Sequence, residues 1–156
     1  MGLRISLLLV SIAAIGCSAS AALAQQGAGA AQATQVWRAA AREVPCRKYT
    51  LYSDLSQADA QLISEQLDNL HATCLDLFKS LRGKAPNGDP VYIFSTKTAY
   101  MAFLQHEMGL NGEGSAGMFV HSGEHRAILA WLGDRGMLDL LGTLRHEGFH
   151  HFASVL

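Results

Sequence analysis

The chain has 156 residues, a formal net charge of −1 with neutral histidines, 49% apolar residues and 16% charged ones. That length holds one modest domain. The charge supplies no basic patch for nucleic acid, and beyond the amino terminus no apolar run is long enough to span a bilayer.

Arg4 is followed by the apolar run Ile5 to Gly16 and then by small residues ending Ala22-Leu23-Ala24. This is the pattern of a secretory signal peptide over residues 1–24 with an A-x-A cleavage site, so the chain is expected to be exported, to the periplasm or beyond. Cys17, after Ala14-Ile15-Gly16, offers a competing reading as the lipid-modified cysteine of an envelope-anchored lipoprotein, although its lipobox lacks the usual larger aliphatic first residue. Residues 25–35 (QQGAGAAQATQ) carry little besides Ala, Gly and Gln and are expected to form a flexible leader. The folded domain is expected over residues 36–156.

Within it, residues 47–53 (RKYTLYS) read as a strand. Ser56 with Asp59 makes a capping-box-like start, and Ala60, Ile63, Leu67, Leu70, Cys74, Leu77 and Leu81 mark one face of a long helix ended by Gly83. A turn at residues 87–90, a strand at 91–94 and a helix capped by Ser95 or Thr96 follow, the helix running to about Met108 before Gly109. After the glycine-rich loop 111–115 come two strand-like runs, 117–121 and 126–132, joined by a turn at Gly123. The order predicts an α+β fold, a small mixed sheet with packed helices.

The strongest local signal is His146-Glu147-Gly148-Phe149-His150, an HExxH. Two histidines four apart on a helix project together and can grip one metal ion, and the glutamate can reach a water on that metal. At ~100° per residue, Thr143, His146, Glu147 and His150 share one arc, opposite Met137, Leu141, Leu144, Gly148, Phe152 and Val155. One face is core and the other is chemistry. Gly148 reads as a close approach of this helix to a sheet. His151 projects away from the ligand arc. His71 and His106 read as solvent-facing or capping groups, and His121, Glu124 and His125, in the hairpin next to the motif helix, as surface residues, against the alternative that one of them completes the metal site.

Cys46 and Cys74 come level if the strand and the returning helix run antiparallel, so an oxidising compartment is expected to join them in a disulfide, against the alternative of two buried free thiols.

Residues 48–53, 91–94 with the following helix, Ala116-Gly117-Met118-Phe119, and Leu144 to Phe152 (LRHEGFHHF) together resemble the amino-terminal half of the zincin metallopeptidases, in particular secreted bacterial members of the gluzincin-like MA clan. The resemblance implies a zincin-like subdomain ending in the motif helix and one Zn2+ per complete domain. It implies His146 and His150 as metal ligands, Glu147 as the catalytic base, and a peptide or protein as substrate. It also implies a substrate cleft along an edge strand beside the motif helix, here Ala116, Gly117, Met118 and Phe119, with Gly117 leaving space beside the metal and the preceding loop flexing to admit a peptide.

The sequence departs from the family where the third ligand belongs. Ala153 and Leu156 stand where the extension HExxHxxGxxH needs Gly and His, and a gluzincin glutamate would lie on a later helix. The sequence therefore reads as truncated at its carboxy terminus, a metallopeptidase incomplete as given. The alternative is a catalytically inactive exported binding or structural module of the same fold.

Overall fold

The computed structural model describes residues 15–81, 88–123, 125–134, 136–154 and 156. Residues 1–14 of the expected signal peptide, Gly83, Asn87, Glu124 and Val155 lie outside the described residues, as does the Cys17 side chain.

A five-stranded mixed sheet forms the centre, in the order β1-β2-β3-β5-β4. Its strands are β1 (Arg42–Pro45), β2 (Tyr49–Ser53), β3 (Asp89–Phe94), β4 (Gly117–Ser122) and β5 (His125–Trp131). The outer pairs, β1 with β2 and β4 with β5, are antiparallel, while β2–β3 and β3–β5 are parallel. The expected α+β architecture is present. Because side chains alternate along a strand, β3 feeds two cores: Val91 and Ile93 on one face, Phe94 on the other.

The first face is covered by α2 (Gln57–Leu77) and α4 (Met137–Ala153), whose Ile63, Leu67, Leu140 and Leu144 meet Leu51, Val91, Ile93 and Ile128. The second is covered by α1 (Ile15–Ala40) and α3 (Lys97–Phe103), through Trp37, Tyr100 and Phe103 against Phe94 and Leu129. Ser56 caps α2 as expected, its Oγ accepting from the Asp59 N–H at 3.1 Å. Of the two candidate caps for α3, Thr96 does the work, accepting from the Ala99 N–H at 3.2 Å, whereas Ser95 is held by Asp54. A π-helical turn, Leu104–Met108, extends α3, and Gly109 closes it in a left-handed conformation.

Several expectations are corrected. Residues 25–35 are not a leader apart from the fold: they lie inside α1, which also runs through the expected cleavage point after Ala24. Ala30, Thr34 and Trp37 are buried at helical spacing where α1 packs on α3. Strand β1 was not foreseen, because Arg42-Glu43-Val44-Pro45 buries only Val44 and so shows no apolar run. Asp89 and Pro90, expected in a turn, pair with Tyr49 and Thr50 of β2. Helix α2 ends at Leu77, and a short 3₁₀ turn, Lys79–Leu81, follows.

Cys46 and Cys74 are free thiols, not a disulfide. The hairpin that ends β1 lies beside Ser64, whose hydroxyl donates to the Pro45 carbonyl at 3.1 Å. Cys74 is ten residues further along α2, about 15 Å at 1.5 Å per residue, well beyond disulfide reach. The error lay in treating residues 46–53 as one straight strand, when the chain turns at Arg47 and Lys48.

Candidate metal centre

Helix α4 starts at Gly136, whose φ of 85° suits glycine, and ends where the Ser154 N–H reaches the carbonyls of His150 and His151. At this end Ser154 Oγ donates to the His151 carbonyl at 2.7 Å. Leu140, Leu144, Gly148, His151 and Phe152 are its buried residues. The helix is positioned by two close approaches at glycines. A Cβ on Gly148 would stand 2.6 Å from Leu70 Cδ2, so this glycine lets α4 approach helix α2, not the sheet as the sequence implied. A Cβ on Gly117 would stand 2.5 Å from Thr143 Cγ2 and 2.9 Å from the Leu129 carbonyl, so Gly117 allows a close approach of the first half of α4 to the sheet.

On the outer side of α4, His146 and His150 are exposed and converge, Nε2 to Nε2 at 3.0 Å, with ring centroids 4.6 Å apart. This separation is a hydrogen bond when one ring carries its proton at Nε2, and a chelating distance when neither does. Two nitrogens at ~2.0–2.1 Å from a tetrahedral zinc stand about 3.3 Å apart. The neutral imidazole pair thus fits a zinc ion in donor type and spacing. Among the described residues no group of three His, Cys, Asp or Glu side chains gathers around a common point, so the fit is bidentate.

Glu147 is half-buried and turns toward strand β4, where Oε2 accepts the Phe119 N–H at 2.8 Å. Strand β4 is one of the two edge strands of the sheet, β1 being the other. The Trp131 N–H donates to the Ala116 carbonyl, so residue 116 faces β5, and by alternation Gly117, Phe119 and His121 present their main-chain groups to the open side. Glu147 therefore occupies one position of the edge expected to bind substrate. The Phe119 side chain packs with the α4 face, its ring 5.6 Å from His151, while Met118 packs on the opposite core. Both side chains are half-buried. Ala116 is exposed and, with Trp131, Leu138 and Thr143, lines a cavity of about 460 Å³ beside the first half of α4. The loop before β4 is tied down: Ser115 Oγ bonds the Tyr100 hydroxyl at 2.7 Å, and the Ser115 carbonyl accepts from Trp131 Nε1 at 3.0 Å.

Two histidines behave differently from their sequence reading or were undervalued by it. His71, expected at the surface, is 5% exposed, packed against the rings of Tyr49 and Phe152, and among the described residues neither ring nitrogen has a hydrogen-bond partner. Burial pushes its pKa below the usual imidazole value, with Lys48 and His151 acting in the same sense. It lies four residues after Leu67 and so falls in the apolar stripe of α2. His151, 2% exposed, bonds Asp89 Oδ2 through Nε2 at 2.7 Å and faces the Tyr49 hydroxyl through Nδ1 at 3.4 Å. Arg126 Nε stands 3.3 Å from the same Asp89 oxygen. Sequence reasoning missed Asp89, Tyr49 and Arg126. The available signal was a histidine on the core stripe between Leu144 and Phe152, which demands a buried partner. His106 and His121 are exposed, bonded to Glu107 and to the Gly123 carbonyl respectively, and His125 is exposed.

No protein-family profile matches the chain, and no curated protein matches it significantly. Among the described residues no helix is long and apolar enough to cross a membrane.

Proposed function

We propose that this domain belongs to a zinc-dependent metallopeptidase of zincin type, acting on a peptide or protein outside the cytoplasm. The observation that carries the reading is the placement of the HExxH side chains: two exposed imidazole nitrogens 3.0 Å apart, beside a carboxylate that reaches the open edge of the sheet. His146 and His150 would hold the metal through Nε2. Bound there, zinc supplies Lewis acidity toward a carbonyl oxygen and lowers the pKa of water. Glu147 acts as the base. Its Oε2 is anchored by the Phe119 N–H, and Oε1, which has no hydrogen bond among the described residues, takes the proton from water and returns it to the leaving amine. The free main-chain groups of Gly117 and His121 would align an extended peptide along β4.

The described residues supply two donors where a catalytic zinc ordinarily has three. The third donor would lie outside them. The same count favours a second reading, a catalytically inactive exported binding or structural module of this fold. Elemental analysis of purified protein distinguishes the outcomes. The parent should retain zinc that a His146→Ala, His150→Ala variant loses, and Glu147→Gln should keep the zinc and lose peptide hydrolysis. Equal zinc in parent and double variant overturns the metal reading; zinc held by a parent without hydrolytic activity selects the second.

A further inference from the structure

We propose that the hydrogen-bonded pair of half-buried Asp89 and buried His151 is a positioning device for the metal ligands, fixing the rotation of α4 so that His146 and His150 face the β4 edge; the inference rests on the metallopeptidase reading of that site. Each candidate ligand is followed by a residue fastened to the sheet. His146 precedes Glu147, bonded to the Phe119 N–H at 2.8 Å, and His150 precedes His151, bonded to Asp89 at 2.7 Å. Residues 147 and 151 are one helical turn apart and lie on one face, with 146 and 150 each about 100° behind. A helix fastened at two points on the same face cannot roll, and its other contacts in this turn are apolar and set its direction less sharply. Gly148 against Leu70 is apolar, and Phe149 and Phe152 meet Phe78 at ring distances of 5.9 and 6.0 Å.

The fastening is directional because both ring nitrogens of His151 are engaged. With Nε2–H donating to Asp89, Nδ1 accepts from the Tyr49 hydroxyl, and the ring is boxed edge-on by Tyr49 and Phe119. Asp89 comes from the start of β3 and Tyr49 from the start of β2, so two parallel strands locate the last turn of α4. Phe119 also carries the N–H that anchors Glu147, which makes His151 the packing support of the other fastening.

The test is zinc affinity, measured by competition with a chromophoric chelator, on the parent, His151→Phe, Asp89→Ala and Asp89→Asn. His151→Phe keeps an aromatic ring among Tyr49, His71 and Phe119 but removes the hydrogen bonds. Asp89→Asn keeps an oxygen that can accept from Nε2–H. His151→Phe and Asp89→Ala should weaken zinc binding by about tenfold or more, with unchanged far-UV circular dichroism, and Asp89→Asn should restore most of the affinity. A folded His151→Phe variant that binds zinc as tightly as the parent overturns the inference, and so does an Asp89→Asn variant as weak as Asp89→Ala. If His151→Phe does not fold, the two Asp89 variants decide. Loss of the metal reading itself shows separately, as a parent that binds zinc no better than the His146→Ala, His150→Ala control.

Discussion

Gly117→Ala is the substitution whose consequence the structure specifies best. The added Cβ would meet Thr143 Cγ2 at 2.5 Å, the Leu129 carbonyl oxygen at 2.9 Å and Ala130 Cβ at 3.1 Å. The second belongs to the backbone of β5 and the third is fixed to it, so the yielding partner is α4. Restoring Thr143 Cγ2 to ordinary contact at about 3.5–4 Å displaces the helix by about an ångström or more. Overpacking of this kind costs about 1–3 kcal/mol, and alanine returns about 0.4–1 kcal/mol by restricting the unfolded chain. The net expectation is a loss of about 1–2 kcal/mol, read as a lower urea midpoint at unchanged slope. The control is Gly142→Ala on the same helix, where an added Cβ meets nothing within 4 Å. It should be neutral or stabilising by up to about 1 kcal/mol. The displacement also stretches the 2.8 Å bond between Glu147 and the Phe119 N–H one turn further on, so Gly117→Ala should lose amide-exchange protection at Phe119. A Gly117→Ala protein with the parent's midpoint would refute the argument that α4 is seated through this glycine.

His71 makes stability depend on acid. Its folded pKa is lowered, so below the unfolded value of about 6.5 the unfolded chain binds more protons, and stability present above that pH is lost as pH falls through the window beneath it. The effect comes chiefly from burial; Lys48 and His151 add to it, Asp68 opposes it, and Tyr49 packs against the ring. In His71→Leu the fall of the urea midpoint between pH 7 and pH 5 should shrink; an identical slope in both proteins would show that another group titrates. The thiols give the remaining prediction. Unfolded, exported protein without reductant should alkylate at both Cys46 and Cys74, with Cys74 slow in the folded state because it is buried, whereas a count of zero would place the hairpin and helix differently.

The elements legible in the sequence were those whose apolar residues announce a period. Helix α2 with its Ser56 cap, the buried run of β3 and the opposed faces of α4 belong to this class. What stayed hidden has physical reasons. Helix α1 buries Ala30 and Thr34, residues too small or too polar to mark a stripe, and β1 is an edge strand with one buried residue. At the site, the spacing of His146 and His150 was readable because both histidines sit on one helix. Asp89 and Tyr49 were not, because their relation to His151 exists only once β2 and β3 pair in parallel. Glycine was ambiguous in the same way. Gly148 announces a close approach without saying to what, and only the packing of α4 on α2 decides it.

The two ends of α4 are held by different physics, and that division explains why the motif can sit on an exposed face. Toward the amino end the helix is located by shape, Thr143 against Gly117, a contact that leaves no polar group to satisfy. Toward the carboxy end the close approach of Gly148 to Leu70 is joined by the hydrogen bonds that Glu147 accepts and His151 makes, whose directions set rotation as well as distance. Shape alone would set the rotation of the helix less sharply, since apolar contact is non-directional. Hydrogen bonds alone would leave its distance from the sheet loosely set over the first two turns. With both, His146 and His150 need no contact with the core to be oriented, and their Nε2 atoms remain open to solvent and to a ligand. The two kinds of support are separable by substitution. Gly117→Ala should move the stability midpoint strongly and zinc affinity modestly, while Asp89→Ala should do the reverse. If both variants shift both quantities in constant proportion, α4 is seated by a single cooperative contact and this division of labour is wrong.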